Sequence, residues 1–203
     1  MPPDHRSPGL KLLLEGNARW ALGHPTHPHR DIARRELVAK DGQRPFAAIL
    51  SCADSRVPSE LLFDVGLGDL FVVRVAGNSV DKIVQQSLEY AAGVLGVETI
   101  MIVGHQGCGA VSGAIEAYPG PAPEFLSTIY RAIEKSKEVL KDRGVNPEDK
   151  IALGIESVDR HIIRGVNKLR REHPFEEMIA QGKLTIVGGR YDLDTGRVTM
   201  LIE

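Results

Sequence analysis

Two cysteines and one histidine are the residues of this chain best suited to bind a metal ion. Cys52 lies in the segment Ser-Cys-Ala-Asp-Ser-Arg, and Cys108 follows His105 in Gly-His-Gln-Gly-Cys-Gly. Each segment comes directly after a short apolar run that is typical of a buried strand. Because the carboxyl ends of parallel strands meet at one edge of a sheet, we expect these three side chains to lie close together. Two thiolates and an imidazole suit Zn²⁺ and leave a fourth tetrahedral position open, as in a catalytic site.

Other uses of the two cysteines stay open on these residues alone. A buried cysteine is often only a small hydrophobic residue, and a pair of thiols can serve redox or nucleophilic chemistry. A disulfide is less favoured, since the chain has only two cysteines and its first residues do not resemble a secretory signal. The position of both cysteines at strand ends, with a histidine three residues before one of them, favours the metal site.

Asp54 and Arg56 follow Cys52 closely and add a charged pair to the same loop. They are near enough for a charge-assisted, bidentate hydrogen bond. Held in this way, the carboxylate would accept a hydrogen bond from zinc-bound water or hydroxide. Two other interpretations are that Asp54 fills the fourth metal position, and that the pair is a surface ion pair of little energetic value.

Apolar runs that alternate with helical patterns predict an α/β fold. The runs give a central, mostly parallel sheet flanked by helices. The predicted strands cover 46–51, 70–75, 99–103 and 183–188, and the predicted helices between them cover 58–63, 80–95 and 111–117. Further helices are expected at 124–141 and from a cap at Asn146 towards residue 172. A turn at 191–196 separates two β-prone stretches and predicts a short antiparallel edge at the carboxyl end.

The amino-terminal part of the chain has a different pattern. Ser7 and Pro8 begin an amphipathic helix, and a second helix is expected at 31–40. We expect residues 1–42 to form a helical arm outside the main core, and residues 43–203 to form the α/β core of a single domain, 1–203.

Composition excludes several classes of protein. The 203 residues carry a formal net charge of −2 and are 42% hydrophobic, so the chain has no basic field for nucleic acid or anionic lipid. No apolar run reaches the length of a membrane span. We therefore expect a cytoplasmic protein with no nucleic-acid or membrane partner.

These motifs resemble those of the β-class carbonic anhydrases over nearly the whole chain. Cys-Ala-Asp-Ser-Arg (52–56) resembles the first zinc-ligand motif of that family, and His-Gln-Gly-Cys (105–108) resembles the second. Similar stretches occur at 13–17, 69–74, 88–91 and 191–196.

The resemblance implies a fold, an activity and a set of roles. Cys52, His105 and Cys108 would ligate one Zn²⁺ per subunit, and Asp54 with Arg56 would form the catalytic dyad. Gln43, Phe71 and Tyr90 would line the pocket for CO₂. The activity implied is reversible hydration of carbon dioxide to bicarbonate and a proton by a zinc-bound hydroxide. The family also implies an intertwined homodimer, or a tetramer or higher assembly, with sites at the interface.

Two other functions fit the same residues. Carbonyl sulfide or carbon disulfide could be hydrolysed by the same zinc hydroxide. A non-catalytic, zinc-stapled scaffold or sensor would have Asp54 permanently closing the site.

One departure from the family concerns a second bicarbonate site. Another subclass has a tryptophan three residues before the first zinc cysteine, where this chain has Ile49. Arg74 and Tyr191 match the other two members of that site, but an aliphatic side chain offers no N–H donor. We therefore expect no inhibitory bicarbonate site, and we expect Asp54 to stay on Arg56 near neutral pH.

Overall fold

A five-stranded sheet forms the centre of the structure, a computed structural model that describes residues 6–203. The order of strands is β2-β1-β3-β4-β5, with β1 to β4 parallel and β5 antiparallel to β4. The strands are β1 (Ala47–Cys52), β2 (Leu70–Val75), β3 (Thr99–His105), β4 (Thr185–Tyr191) and β5 (Val198–Ile202). The predicted α/β class and the antiparallel edge are both confirmed.

Nine α-helices surround this sheet in the described part of the chain. They are α1 (Pro8–Ala21), α2 (Ile32–Asp41), α3 (Ser59–Leu62), α4 (Lys82–Gly93), α5 (Gly109–Ala117), α6 (Glu124–Ser127), α7 (Tyr130–Asp142), α8 (Lys150–Leu169) and α9 (Phe175–Ala180). A 3-10 turn, Ala76–Asn78, follows β2. Among residues 6–203, no helix is long and apolar enough to cross a membrane.

The two strands that carry the predicted ligands form the middle of the core. Every residue of β1 and of β3 is buried, as expected for parallel strands covered on both faces. The strands are paired in register, with Ser51 opposite Val103. Cys52 and His105, the last residues of β1 and β3, therefore lie at the same edge of the sheet.

The first helix packs differently from the expected detached arm. Ser7 caps α1 by accepting a hydrogen bond from the amide of Leu10, as the sequence predicts. Leu10 and Leu13 are completely buried in the core of the same chain. Asn17 donates to the carbonyls of residues 62 and 196 and accepts from the amide of residue 198. α1 is thus fixed to its own core by its apolar face.

The second helix has the exposure expected of an arm. None of the ten residues of α2 is buried in the described chain, and Ile32 and Leu37 are exposed. Arg34 ties the helix to the loop before β2 by donating to the Leu67 carbonyl and to Asp69. The boundary of the arm at residue 42 stays a prediction, and residues 1–5 of it lie outside the described residues.

Some element boundaries differ from those predicted. The single helix expected at 124–141 is interrupted at residues 128–129, giving α6 and α7. The cap of α8 is Asp149, which accepts from the amides of Ile151 and Ala152, and Asn146 instead caps the preceding turn. α9 is too short to show a clear helical periodicity and was not predicted.

Candidate metal centre

The three predicted ligands come together at the carboxyl edge of the sheet. Cys52 ends β1, His105 ends β3, and Cys108 directly precedes α5. Their candidate ligand atoms all lie within 4.8 Å of one another, and all three residues are buried. The two sulfur atoms are 3.9 Å apart and form no disulfide.

This cluster fits a tetrahedral metal ion. Zinc–sulfur bonds of about 2.3 Å at a tetrahedral angle place two sulfurs about 3.8 Å apart, close to the distance between Cys52 and Cys108. Nδ1 of His105 lies 2.9 Å from the carbonyl oxygen of Gln106, to which it donates in the matching tautomer. That leaves Nε2 with a free lone pair, and this buried atom has no hydrogen-bond partner among the described residues.

The two thiols differ in acidity because they share a hydrogen bond. The Cys108 thiol donates to Cys52, and this contact lowers the pKa of Cys52. The pKa of Cys108 is raised, because it gives that hydrogen bond and because it is buried. One thiolate is therefore already favoured in the metal-free cluster, and thiolate is the form that binds a metal.

Asp54 is held by Arg56 at the edge of the cluster. The guanidinium donates from Nε to Oδ1 at 2.9 Å and from its terminal nitrogen to Oδ2 at 2.7 Å. These hydrogen bonds hold the pKa of Asp54 far below its usual range. Oδ2 lies 3.8 Å from Nε2 of His105, so the carboxylate faces the metal position while it stays bound to Arg56.

Arg74 and Gly77 support this centre from β2 and the turn that follows it. Arg74 donates to the carbonyls of Cys52 and Asp54. The amide of Gly77 lies 3.3 Å from Sγ of Cys52 and donates to it. Neither support was predicted as such. The only signal in the sequence was the glycine that follows the apolar run of β2.

The turn at Gly77 is fixed in turn by a buried histidine of α8. Nε2 of His161 lies 2.9 Å from the Gly77 carbonyl oxygen and donates to it. Burial lowers the pKa of His161 to about 4, so this side chain is neutral at physiological pH. The neutral imidazole thus holds the residue whose amide contacts Cys52.

The three predicted pocket residues lie away from the metal cluster of their own chain. Phe71 pairs with Ala48, whereas Cys52 pairs with Val75, four residues further along β2. Four residues of strand span about 13 Å. The Phe71 and Tyr90 rings contact each other with centroids 6.1 Å apart, and Gln43 and Tyr90 are exposed. Within one chain, Phe71 therefore lies about 13 Å along the sheet from the level of Cys52.

Ile49, Arg74 and Tyr191 are the three positions compared above with a second bicarbonate site. Each makes other contacts in this structure. Ile49 is fully buried within β1. The Arg74 guanidinium is bound to the two carbonyls named above, and the hydroxyl of Tyr191 accepts a hydrogen bond from Nε1 of Trp20. The absence of an inhibitory bicarbonate site stays a prediction.

The Cys-His-Cys cluster at the carboxyl edge of a mostly parallel sheet has the donor set of a zinc site. The sequence profile of the family described as carbonic anhydrase matches residues 47–198. A protein named carbonic anhydrase 2 from Mycobacterium tuberculosis is 39% identical over 98% of this chain and 95% of its own length. A carbonic anhydrase from Pseudomonas aeruginosa is 32% identical over 95% of this chain and 87% of its own length.

Solved structures agree with these sequence relatives. A tetrameric β-carbonic anhydrase from Sordaria macrospora superposes with a TM-score of 0.71 at 25% identity, covering 96% of this chain and 98% of the other. The β-carbonic anhydrase of Coccomyxa, in complex with acetazolamide, gives the same TM-score at 27% identity, covering 97% and 88%. The chain belongs to the carbonic anhydrase family, in its β class.

Proposed function

We propose that this protein catalyses the reversible hydration of carbon dioxide to bicarbonate and a proton, with one Zn²⁺ per subunit held by Cys52, His105 and Cys108. CO₂ hydration is the function of the family. The observation that carries the assignment to these residues is the cluster itself, in which three donor atoms of buried residues lie within 4.8 Å of one another, and one of them, Nε2 of His105, has no hydrogen-bond partner within residues 6–203.

Asp54 and Arg56 act on the attacking oxygen in this proposal. Zinc, when bound, supplies a Lewis acid that generates hydroxide from water near neutral pH. Arg56 fixes the Asp54 carboxylate beside the metal position and holds its pKa far below the usual range. The carboxylate would accept a hydrogen bond from the attacking oxygen and so orient its lone pair towards the carbon of CO₂.

The CO₂ pocket is completed by a second copy of the chain. Gln43, Phe71 and Tyr90 lie along the outer strand β2 and its neighbours, too far from Cys52 of the same subunit to serve it. β2 is an edge strand, and edge strands need a cover. Large apolar side chains are exposed in the neighbouring helices, at Leu37, Leu61, Ile83, Tyr90 and Val94. A homodimer with sites at the interface would bury this surface, and a tetramer would be built from such dimers.

The decisive experiment combines metal analysis with substrate comparison on one preparation. We expect about one zinc per chain and fast hydration of CO₂ in a stopped-flow assay. Cys108→Ser should lose both zinc and activity. Metal-loaded protein that does not hydrate CO₂ would overturn the proposal, and hydrolysis of carbonyl sulfide or carbon disulfide instead would identify the alternative enzyme.

Two alternative functions predict different experimental results. A zinc-stapled scaffold predicts a cobalt-substituted protein whose spectrum does not respond to pH or small anions. A thiol redox protein predicts that Cys108→Ser leaves the metal content unchanged. A cytoplasmic location stays a prediction, which cell fractionation would test.

A further inference from the structure

A strongly basic groove lies between α7 and α8, away from the metal centre. It is a cavity of about 520 Å³. Six cationic side chains line it: Arg131 and Lys135 of α7, Arg160, Arg164 and Lys168 of α8, and Arg171 just after α8. One carboxylate, that of Glu172, lines it with them. This concentration of positive charge stands out in a chain whose formal net charge is −2.

Two of these cations have no partner among the residues that the structure describes. Lys135 is paired with Glu138, and Arg160 is paired with Glu156. Arg164 and Lys168 donate to the backbone carbonyls of residues 128 and 80. Within the described residues 6–203, the side chains of Arg131 and Arg171 make no hydrogen bond or ion pair. Both guanidinium groups are therefore available to a ligand.

The spacing of the cations places them on one side of each helix, where they repel one another. Residues 160, 164, 168 and 171 follow one another at intervals of four, four and three, and such positions are neighbours on a helix surface. Residues 131 and 135 repeat this spacing on α7. Burial lowers the pKa of Arg164, and the charge of Arg131 lowers it further. The folded chain thus holds an unfavourable set of like charges that a bound anion would relieve.

We propose that this groove binds a small anion that carries two or more linked phosphoryl groups. Eight residues of α8 separate positions 160 and 168, a distance of about 12 Å, and Arg171 lies beyond the end of the helix, so a single phosphate cannot reach the whole row. A guanidinium group can donate two parallel hydrogen bonds to the oxygens of one phosphoryl group. Arginine supplies four of the six cations of the groove. The volume lies in the range of small-molecule sites. A concave groove between two helices fits such a molecule better than a flat membrane or a long duplex.

Pyrophosphate is the probe for the test, with orthophosphate as the comparison. In isothermal titration of the zinc-loaded protein at about 0.1 M salt, we expect pyrophosphate to bind at least about tenfold more tightly than orthophosphate. Arg131→Gln with Arg171→Gln should weaken pyrophosphate binding by about tenfold or more, because each Arg is a charge-assisted donor. Since neither side chain has a partner within residues 6–203 and removal of both reduces the repulsion between cations, this double variant should melt at or slightly above the melting temperature of the wild type.

A matched control removes two positive charges from positions outside the groove. Lys141→Gln with Lys183→Gln alters two exposed lysines outside the groove and should leave the affinity unchanged. Zinc content is measured before and after each titration, so that removal of the metal by pyrophosphate is seen separately. The proposal is overturned if pyrophosphate does not bind, if both double variants bind it equally, or if only anionic vesicles or nucleic acid bind to the groove.

Discussion

Asp54 receives two side-chain hydrogen bonds from Arg56, at 2.9 Å and 2.7 Å, and a third from the Arg56 amide. Because the side-chain contacts hold the carboxylate facing the metal position, Arg56→Gln should lower CO₂ hydration by about 10- to 100-fold. Zinc should be retained, since no ligand is changed. Stopped-flow rates normalised to zinc content measure the effect.

The control for this variant is Arg197→Gln, which removes an exposed arginine from the turn before β5. It should keep the wild-type rate. An Arg56→Gln protein as active as Arg197→Gln would show that Asp54 does not need its guanidinium partner.

Gly77→Ala should weaken the metal centre and destabilise the fold together. Gly77 has φ of +67°, and an added Cβ would lie 2.9 Å from the Cβ of Ala110. The left-handed backbone alone costs a non-glycine residue about 1–2 kcal/mol, and relief of the contact would move the amide that donates to Cys52. We expect a lower free energy of unfolding and faster loss of zinc to a chelator.

Gly113→Ala is the matched substitution for this comparison. Gly113 lies inside α5, where an added Cβ meets only a leucine methyl at 3.8 Å. It should stabilise the protein by about 0.5–1 kcal/mol and leave zinc release unchanged. Equal zinc release from the two variants would contradict the role assigned to the Gly77 amide.

Asp64 should make the stability of the protein fall in acid. Its carboxylate is fully buried, which by itself raises the pKa, but hydrogen bonds from Thr26, Arg19 and His27 outweigh burial and hold the pKa well below its usual range. The unfolded value is about 3.9. Its stabilising contribution is therefore full above about pH 5 and is lost as the pH falls through the unfolded and then the folded pKa.

Urea unfolding at several pH values measures this contribution. Asp64→Asn should lower the free energy of unfolding at pH 7 by about 1–3 kcal/mol, because the amides of Thr26 and His27 lose an ionised acceptor, and the difference from wild type should shrink below pH 4. The exposed Asp41→Asn should change neither quantity. A constant difference across this pH range would contradict the assignment to Asp64.

Two inactive variants should restore activity when they are combined in one dimer. Asp54→Asn damages the metal side of a shared site, and Gln43→Ala damages the side that a second copy would supply. A mixed dimer then has one site with both changes and one with neither. With random pairing of equal amounts, about a quarter of the wild-type activity should return. Coexpression of tagged subunits followed by a hydration assay measures it, and activity no higher than that of either parent would rule out shared sites.

Local patterns predicted the strands and the ligands because both depend on short segments. The buried runs of β1 and β3 end at Cys52 and at His105, so the rule for parallel strands was enough to bring the ligands together. Local patterns could not predict the packing of α1, because Asn17 fixes this helix by hydrogen bonds to residues 62, 196 and 198, which are distant in the sequence. The interruption of the helix at 128–129 also depends on distant partners, since the Thr128 hydroxyl lies 2.9 Å from that of Ser79.

The contacts of Asn17 also set an order of events during synthesis. The helix that contains this residue is made about 180 residues before the carbonyl of residue 196 and the amide of residue 198. At about 5–20 residues per second, α1 waits roughly 10–40 s before its final partners exist. Throughout that interval the apolar face formed by Leu10 and Leu13 has no finished core to cover it, so the growing chain is the stage at which binding by a chaperone matters most.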